Sequence, residues 1–481
     1  MSTPGESIRA VLLGYYFPPM GGAGTQRLAS FARDLPALGI EPVVVAASET
    51  VPGDSTLAHD VTLLDGIDPS VSIIRVPGIA EQTPTGRDRR TAHRLVASAV
   101  DLAWARRAVD AAVFASRRHA ADVTLVSVSP YTLGLHVGEL RRRTRRPVVI
   151  DLRDPWALDG WRSFRSRIQV RADRWFMARS LAAADAIIAN CPAAAAAYRA
   201  LPGVRPDRVV VVPNGWSATD YADQPGRAPV APTDRSTFRI AHIGTLHDPT
   251  PPATRHPRPH TCAPLEYRHR SGRTLLTAIG HIMARRPDLR HRLQLDLFGS
   301  VHPGHADLVR QLRLSDVVHE HGYVSHPDAI AAAKKADALF VPLHGVPHGD
   351  PALIVPGKLY EALASERPVL AAVPVGDARR LVLLAGGDGA VVDPGDADAA
   401  ADRLETWINR WSAGQAPSGA RRSALIPFER TSLSSRVAEI LRAAHAGNPS
   451  AFPADDPWSV LAAQLQDDAD ASVSVVVSQA A

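Results

Sequence analysis

Short apolar runs recur along the first half of the chain, separated by stretches of helical period. Arg9–Gly14, Pro42–Ala46, Val71–Val76, Val123–Ser127, Pro147–Ile150, Ala186–Ala189 and Arg208–Val212 are brief and rich in Val, Ile, Leu and Ala. Several are continuously apolar, without in–out alternation, which predicts strands covered on both faces, as in a parallel sheet. Between them, Thr25–Leu35, Thr91–Ala120, Thr132–Arg143, Ser163–Ala183 and Ala193–Ala200 read as helices. Regular strand–helix alternation predicts a doubly wound α/β domain.

Pro213-Asn214-Gly215 interrupts this pattern, and Tyr221–Arg235 reads as a connector bearing Pro, Asp and Gly. Alternation restarts at Phe238–Ile243 and continues through Leu293–Phe298, Val317–Glu320, Ala338–Val341 and Val369–Val373, predicting a second α/β domain. Thr431–Ala444 reads as a late amphipathic helix. The expected organisation is a first domain over 1–218, a second over 219–447 and a loosely ordered tail over 448–481. Asp248–Gly272 holds six prolines and many His and Arg residues, and reads as an exposed basic insertion. His256, His260, Cys262 and His269 within it fit no standard zinc spacing, and Asp396-Ala-Asp398 is too common a tripeptide to assign a metal.

The length of 481 residues exceeds what one core organises, in keeping with two domains. A net charge of +5 and a pI near 9.4 are compatible with phosphate ligands or an anionic membrane surface. Two cysteines make no disulfide framework, which points to a reducing compartment. Ile8–Leu13 is too short for a signal peptide, and no apolar run approaches the roughly 18 residues of a membrane span. The expectation is a cytoplasmic protein without a nucleic-acid partner. Trp161–Arg179 and the arginines of Thr91–Arg118 could touch anionic lipid at the inner face of the membrane, or could be a solvated helical surface with an aromatic core face.

Chemistry concentrates in Val355–Val373. The chain has only three lysines, Lys334, Lys335 and Lys358, and otherwise uses arginine. Lys358 stands where a Pro356-Gly357 loop enters a helix, and Glu361 lies three residues on, on the same face. A helix start offers unsatisfied N–H groups and a positive dipole end to a phosphate, and a carboxylate one turn later can bind a ribose diol. The bland alternative is an exposed Lys358–Glu361 ion pair. Further Gly turns close strands at Gly244, Gly299 and Gly322, beside Tyr323. A loop containing Gly21, Gly22 and Gly24 follows the first strand but lacks the third glycine of a dinucleotide fingerprint. His136 and Asp154 follow later strand ends, where open parallel sheets hold ligands; each could equally be structural, Asp154 within an Asp151–Arg153 or Arg153–Asp154 network.

The ordered segments YYFPPMGGAGTQR, DLRDPW, ADAIIAN, VVPNGW, HIGTL, LFGS, HGYVSH and PGKLYEALASERPVLA resemble the family 4-like glycosyltransferases of the GT-B fold, from about Ile8 to about His445. The resemblance implies two Rossmann-like doubly wound domains facing a cleft, with a C-terminal helix returning to the first. It implies a nucleotide-diphosphate sugar as donor, held by the second domain, and a polysaccharide, lipid-linked intermediate or small metabolite as acceptor, held by the first. Transfer would retain configuration without an obligatory metal or other cofactor. Carried onto this chain, Glu361 would hold the donor ribose, with Lys358 and Gly357 by the diphosphate and Gly244 in a neighbouring turn. Gly299 and Tyr323 would lie near the nucleobase, and Gly21, Gly22 and Gly24 would shape the cleft floor. His136 and Asp154 are the catalytic candidates. The chain departs from the family pattern in four places. Leu353 stands where a second glutamate is common, with Asp350 the nearest acid. Ser365-Glu366 replaces a usual Gly. His136 is one position off the expected spacing. The usual Arg–Lys pair falls in the insertion, leaving Arg273 as the preferred arginine and Arg258 as the alternative. Two other functions fit the same sequence: a nucleotide-sugar epimerase and a non-catalytic GT-B scaffold.

Overall fold

The computed structural model describes residues 7–48, 59–158, 160, 162–222, 236–250, 260–261, 265–347 and 349–466. These fall into two compact units: one within 1–214, 257–263 and 430–456, the other within 215–256, 264–429 and 457–481.

The first unit is built on strands β1 (Ile8–Leu13), β2 (Ile40–Ala47), β3 (Ser72–Val76), β4 (Val123–Ser127), β5 (Val148–Leu152), β6 (Ala186–Ala189) and β7 (Val209–Val211). All pair in parallel, in the order β3-β2-β1-β4-β5-β6-β7. Helices α1 (Ala23–Asp34), α2 (Ala99–Arg118) and α3 (Arg167–Ala182) are among those linking them. The second unit repeats the plan with β8 (Phe238–Ile243), β9 (Leu293–Phe298), β10 (Val318–Gly322), β11 (Ala338–Pro342), β12 (Val369–Ala372) and β13 (Ala390–Val392). Their order is β10-β9-β8-β11-β12-β13, again all parallel. Among its helices are α4 (Arg273–Arg285), α5 (Gly357–Ala364) and α6 (Ala397–Ser412), whose Asp396 cap accepts from the Ala399 N–H at 2.9 Å. In each unit the strand order reverses beside the first strand, between β1 and β4 and between β8 and β11. Such switch points open a crevice at the carboxyl ends of the strands.

Helix α7 (Arg430–His445) belongs to the first unit, where Leu433, Val437, Ile440 and Leu441 join Leu28, Phe31 and Ala32 in one core. Each such burial contributes about 1.5–3 kcal/mol. A charged clamp crosses the same unit. Arg27 of α1, 5% exposed, donates to both oxygens of fully buried Asp151 in β5 at 2.7 and 2.9 Å, and to the carbonyls of Val212 and Pro213 at 2.9 and 2.5 Å. The arginine that pairs with Asp151 is thus Arg27, distant in sequence, and not the neighbouring Arg153.

Three local expectations change. The helical run expected over Thr91–Ala120 breaks at Val96–Ser98, because Ser98 caps α2 by accepting from the Asp101 N–H. The run expected over Ser163–Ala183 starts as extended chain: Ser163–Phe164 pairs antiparallel with His260–Thr261, and Ser166 then caps α3. Of the basic insertion, residues 248–250, this ladder and 265–272 are described; His256, Arg258 and Cys262 lie outside the described residues. The tail expected to be loose carries buried anchors. Phe452 joins the first unit's core. Residues 457–466 are helical, with Trp458 and Leu461 fully buried. The Trp458 indole donates to the Asp377 carbonyl at 3.1 Å and meets the Phe428 ring edge-on at 4.9 Å.

Replacing Asp151 by Ala leaves the Arg27 guanidinium buried without its counter-charge, which costs about 3–5 kcal/mol. Chemical denaturation of Asp151→Ala should therefore show a large drop in midpoint; a loss below about 1 kcal/mol would show that the pair is not a structural clamp.

Candidate functional site

The second unit's switch point gathers three of the glycine turns into one surface. Gly244, just past β8, has φ +116°, and its N–H donates to the Phe298 carbonyl at 2.8 Å. Gly299, just past β9, has φ +111°, and its N–H donates to the Gly322 carbonyl at 2.7 Å. A Cβ on Gly299 would stand 2.6 Å from the Gly244 carbonyl oxygen, so the two turns pass closer than any side chain permits.

Lys358 lies over this floor. It is the second residue of α5, behind Gly357, at a start that no side chain caps. Its ammonium donates to the Thr245 carbonyl at 3.2 Å and meets His242 Nε2 at 3.2 Å. His242 sits inside β8, 1% exposed, with Nδ1 2.9 Å from the Phe340 carbonyl. A carbonyl can only accept, so Nδ1 carries the proton and Nε2 offers its lone pair to the lysine. Lys358 thus turns toward the glycine floor and makes no ion pair with Glu361, which disposes of the bland alternative.

Burial pushes the Lys358 ammonium down to about 7, and the positive charge of Arg270 adds to the effect. Burial holds the neighbouring histidines neutral as well: His247 is lowered to about 4 and His344 to about 3, each with a further contribution from Arg270. Buried His305 accepts the Gly272 N–H on Nε2 at 3.0 Å while its Nδ1 faces the His302 carbonyl at 2.9 Å, fixing the start of α4. The result is a strand-end surface that carries Lys358, within reach of the Arg270 charge and beside uncharged imidazoles. Such a surface favours a multiply charged anion.

Arg273, the expected arginine, is exposed on the first turn of α4, where it reaches the Pro249 carbonyl at 3.4 Å. The arginine whose charge acts on Lys358 is Arg270, three residues earlier. Sequence reasoning passed over it because it lies among the cations of the insertion; its place just before Ser271-Gly272 and α4 was the available signal. His242 was also missed, although a histidine at an inward position of an apolar strand, two residues before Gly244, is conspicuous. Glu361 lies one turn beyond Lys358 and is half-buried; its own carbonyl accepts from the Tyr221 hydroxyl at 2.5 Å. Tyr323, next to Gly322, is 54% exposed. Beside it, the Phe298 and His321 rings stack at 4.3 Å, and His321 Nε2 contacts Asp296 at 2.7 Å.

In the first unit, Gly21 is buried and Gly22 precedes α1 with φ +101°. A Cβ on Gly24 would collide with the Arg153 guanidinium, which stacks over the Tyr16 ring at 5.5 Å, so Gly24 makes room for Arg153. Asp154 is half-buried after β5, with no hydrogen bond to His136. His136 is nine-tenths buried. Its Nδ1 faces Glu139 at 3.1 Å and its ring meets His93 edge-on at 5.6 Å. The hydrogen bond from His136 is the main cause that lowers Glu139 to about 2, and burial, with the nearby His136, brings His93 down to about 4. His136 Nε2 is buried without a hydrogen-bond partner, and the structure shows no hydrogen bond joining His136 to Asp154.

Two parallel α/β units, each with the same switch-point order, define the GT-B glycosyltransferase architecture. Residues 21–215 match the glycosyl transferase 4-like domain, and residues 262–410 match the glycosyl transferases group 1 domain. The chain belongs to the family 4-like glycosyltransferases. It is 30% identical to the D-inositol 3-phosphate glycosyltransferase of Kineococcus radiotolerans over 214 residues, 42% of each protein, so it spans under half the length of that curated relative. Among solved structures it resembles Anabaena HepE in complex with UDP and glucose, with 18% identity, TM-score 0.58, and coverage of 91% of this chain and 100% of that one. It also resembles the sucrose-phosphate synthase of Thermosynechococcus elongatus, with 15% identity, TM-score 0.60, and coverage of 97% and 100%.

With only three lysines, the Lys358 side chain can be followed directly by NMR of isotope-labelled lysine. One signal, absent from Lys358→Arg, should titrate with a midpoint near 7. A midpoint near 10 would mean that the ammonium is well hydrated and the site is open to solvent.

Proposed function

We propose that the protein transfers a sugar from a nucleoside diphosphate sugar to an acceptor with retention of configuration, and that the Lys358 site binds the donor diphosphate. The observation that carries this reading is Lys358, set over the Gly244–Gly299 floor within reach of the Arg270 charge and making no ion pair among the described residues. A departing nucleoside diphosphate gathers negative charge as the glycosidic bond breaks, and prearranged cations stabilise it. Glu361 is assigned to the ribose hydroxyls and the turns at Gly299 and Tyr323 to the base. The names of similar proteins, among them a UDP-bound one, support a donor of this class. The acceptor is taken to be a polysaccharide, a lipid-linked intermediate or a small metabolite.

A lipid-linked acceptor would place the enzyme at a cytoplasmic membrane surface, and α3 suits that setting. Arg167, Ile168, Arg171, Arg174 and Trp175 are exposed on it, whereas its only acid, Asp173, is fully buried. Ile168 is 70% and Trp175 56% exposed. Exposed apolar residues among arginines match the headgroup region of an anionic bilayer. Among the described residues no helix is long and apolar enough to cross a membrane.

Calorimetry with UDP, GDP, ADP and TDP tests the donor site. One nucleotide should bind, and Glu361→Ala and Lys358→Ala should each weaken it by at least tenfold. Because a diphosphate favours the charged ammonium, affinity should be full below pH 7 and decline as pH rises through about 7, a dependence absent from Lys358→Ala. Binding of none of the four, or binding indifferent to both variants, would remove the donor assignment. For α3, co-sedimentation with anionic vesicles should be salt-sensitive and lost in Arg171→Glu/Arg174→Glu; equal binding to neutral vesicles would refute the lipid surface.

A further inference from the structure

The first unit has a cavity that the donor site leaves unused. It opens at the carboxyl end of β4, beside the β1–β4 switch point, where open parallel sheets place ligands. Its volume is about 590 Å³, within the range of about 300–1,000 Å³ typical of small-molecule sites. Three chain segments converge on it: the turn ahead of α2, the Ser129–Thr132 loop after β4, and the Arg162–Arg165 stretch leading into α3.

These segments are fastened to one another. Arg162 donates to the Val96 carbonyl and pairs with fully buried Asp173, and its guanidinium lies over the Tyr131 and Phe164 rings at 5.6 and 4.9 Å. Gln169 of α3 donates to the Leu95 carbonyl at 2.9 Å. A wall held in this way is organised before any ligand arrives, which lowers the entropic cost of binding.

The charge on the wall is unbalanced. Asp173 answers Arg162, leaving Arg94 and Arg165 exposed at the rim. Among the described residues the single lining carboxylate, Asp101, is already engaged by the Ser98 hydroxyl at 2.6 Å. Deeper in the wall, Thr132 is 5% exposed and its hydroxyl has no hydrogen-bond partner. Buried polar groups are nearly always paired, so an orphan hydroxyl in a cavity wall marks a place for a polar ligand atom.

We propose that this cavity binds the acceptor of the transfer reaction through an anionic group on that acceptor, a phosphate or a carboxylate. Arg94 and Arg165 meet the charge, guanidinium being well matched to both groups, and Thr132 hydrogen-bonds a neighbouring oxygen. The inference rests on the transferase reading for the word acceptor; the anion site itself does not.

The test is calorimetry on the full chain, saturated with whichever nucleoside diphosphate binds so that Lys358 and Arg270 are occupied. The probes are glucose 6-phosphate, glucuronate and glucose. The charged sugars should bind at least tenfold more tightly than glucose, and their order identifies phosphate or carboxylate as the preferred group. Arg94→Ala/Arg165→Ala, which alters only exposed side chains, should abolish the preference while leaving nucleotide affinity unchanged; Thr132→Val should weaken charged-sugar binding several-fold. Equal or absent binding of all three sugars, or a preference that survives the double variant, would overturn the proposal. Failure of every nucleotide to bind would instead count against the donor reading; the sugar titrations, repeated on Lys358→Ala without nucleotide, would still decide the anion site.

Discussion

An ammonium group set against two lone pairs, with no carboxylate to match it among the described residues, is the constraint around which the second unit is organised. Lys358 reaches Thr245 and His242 only because Gly244 and Gly299 let two strand-end turns touch. The His242 lone pair faces the lysine only because the Phe340 carbonyl of β11 takes the other ring proton. Phe340 and His242 lie on the two strands that flank the switch point, so the sheet order itself sets the tautomer. Burial together with Arg270 makes the cation costly in the empty site, and an arriving polyanion relieves that cost.

The first unit uses charge differently. Its buried arginine, Arg27, is fully answered by Asp151 and two backbone carbonyls, and so holds α1, β5 and the end of β7 in one arrangement. Arg162 is answered by Asp173 in the same way. Pairing turns these cations into struts, and only those at the rim, such as Arg94 and Arg165, keep charge for a partner. The same residue type thus fills structural and binding roles, sorted by whether a carboxylate lies within reach.

Most of the architecture was legible in the sequence, because strands buried on both faces leave continuous apolar runs that need no tertiary information. All seven strands of the first sheet were visible in this way; β13, only three residues long, was not. The site was legible where a residue type was itself unusual, as with Lys358 in a chain nearly without lysine. It was illegible where the deciding fact was a long-range contact. Arg27 and Asp151 are 124 positions apart, and nothing local marks them as partners. Arg270 was lost among neighbouring cations, and Arg273 was preferred in its place. His136 looked available because its motif stands at a strand end, yet packing against His93 and Glu139 encloses it. The tail looked loose on composition, which gives little weight to a single tryptophan finding a slot.

The placement of α7 also bears on how the protein is made. Residues of α7, among them Leu433, Val437, Ile440 and Leu441, together with Phe452, complete a core whose other members lie before residue 213. A ribosome adding about 5–20 residues per second would emit most of the second unit, over roughly ten seconds to a minute, before that core could close. Throughout that interval the nascent first unit would carry an open apolar seam along α1. Proteins built this way depend on whatever shields such a seam during synthesis.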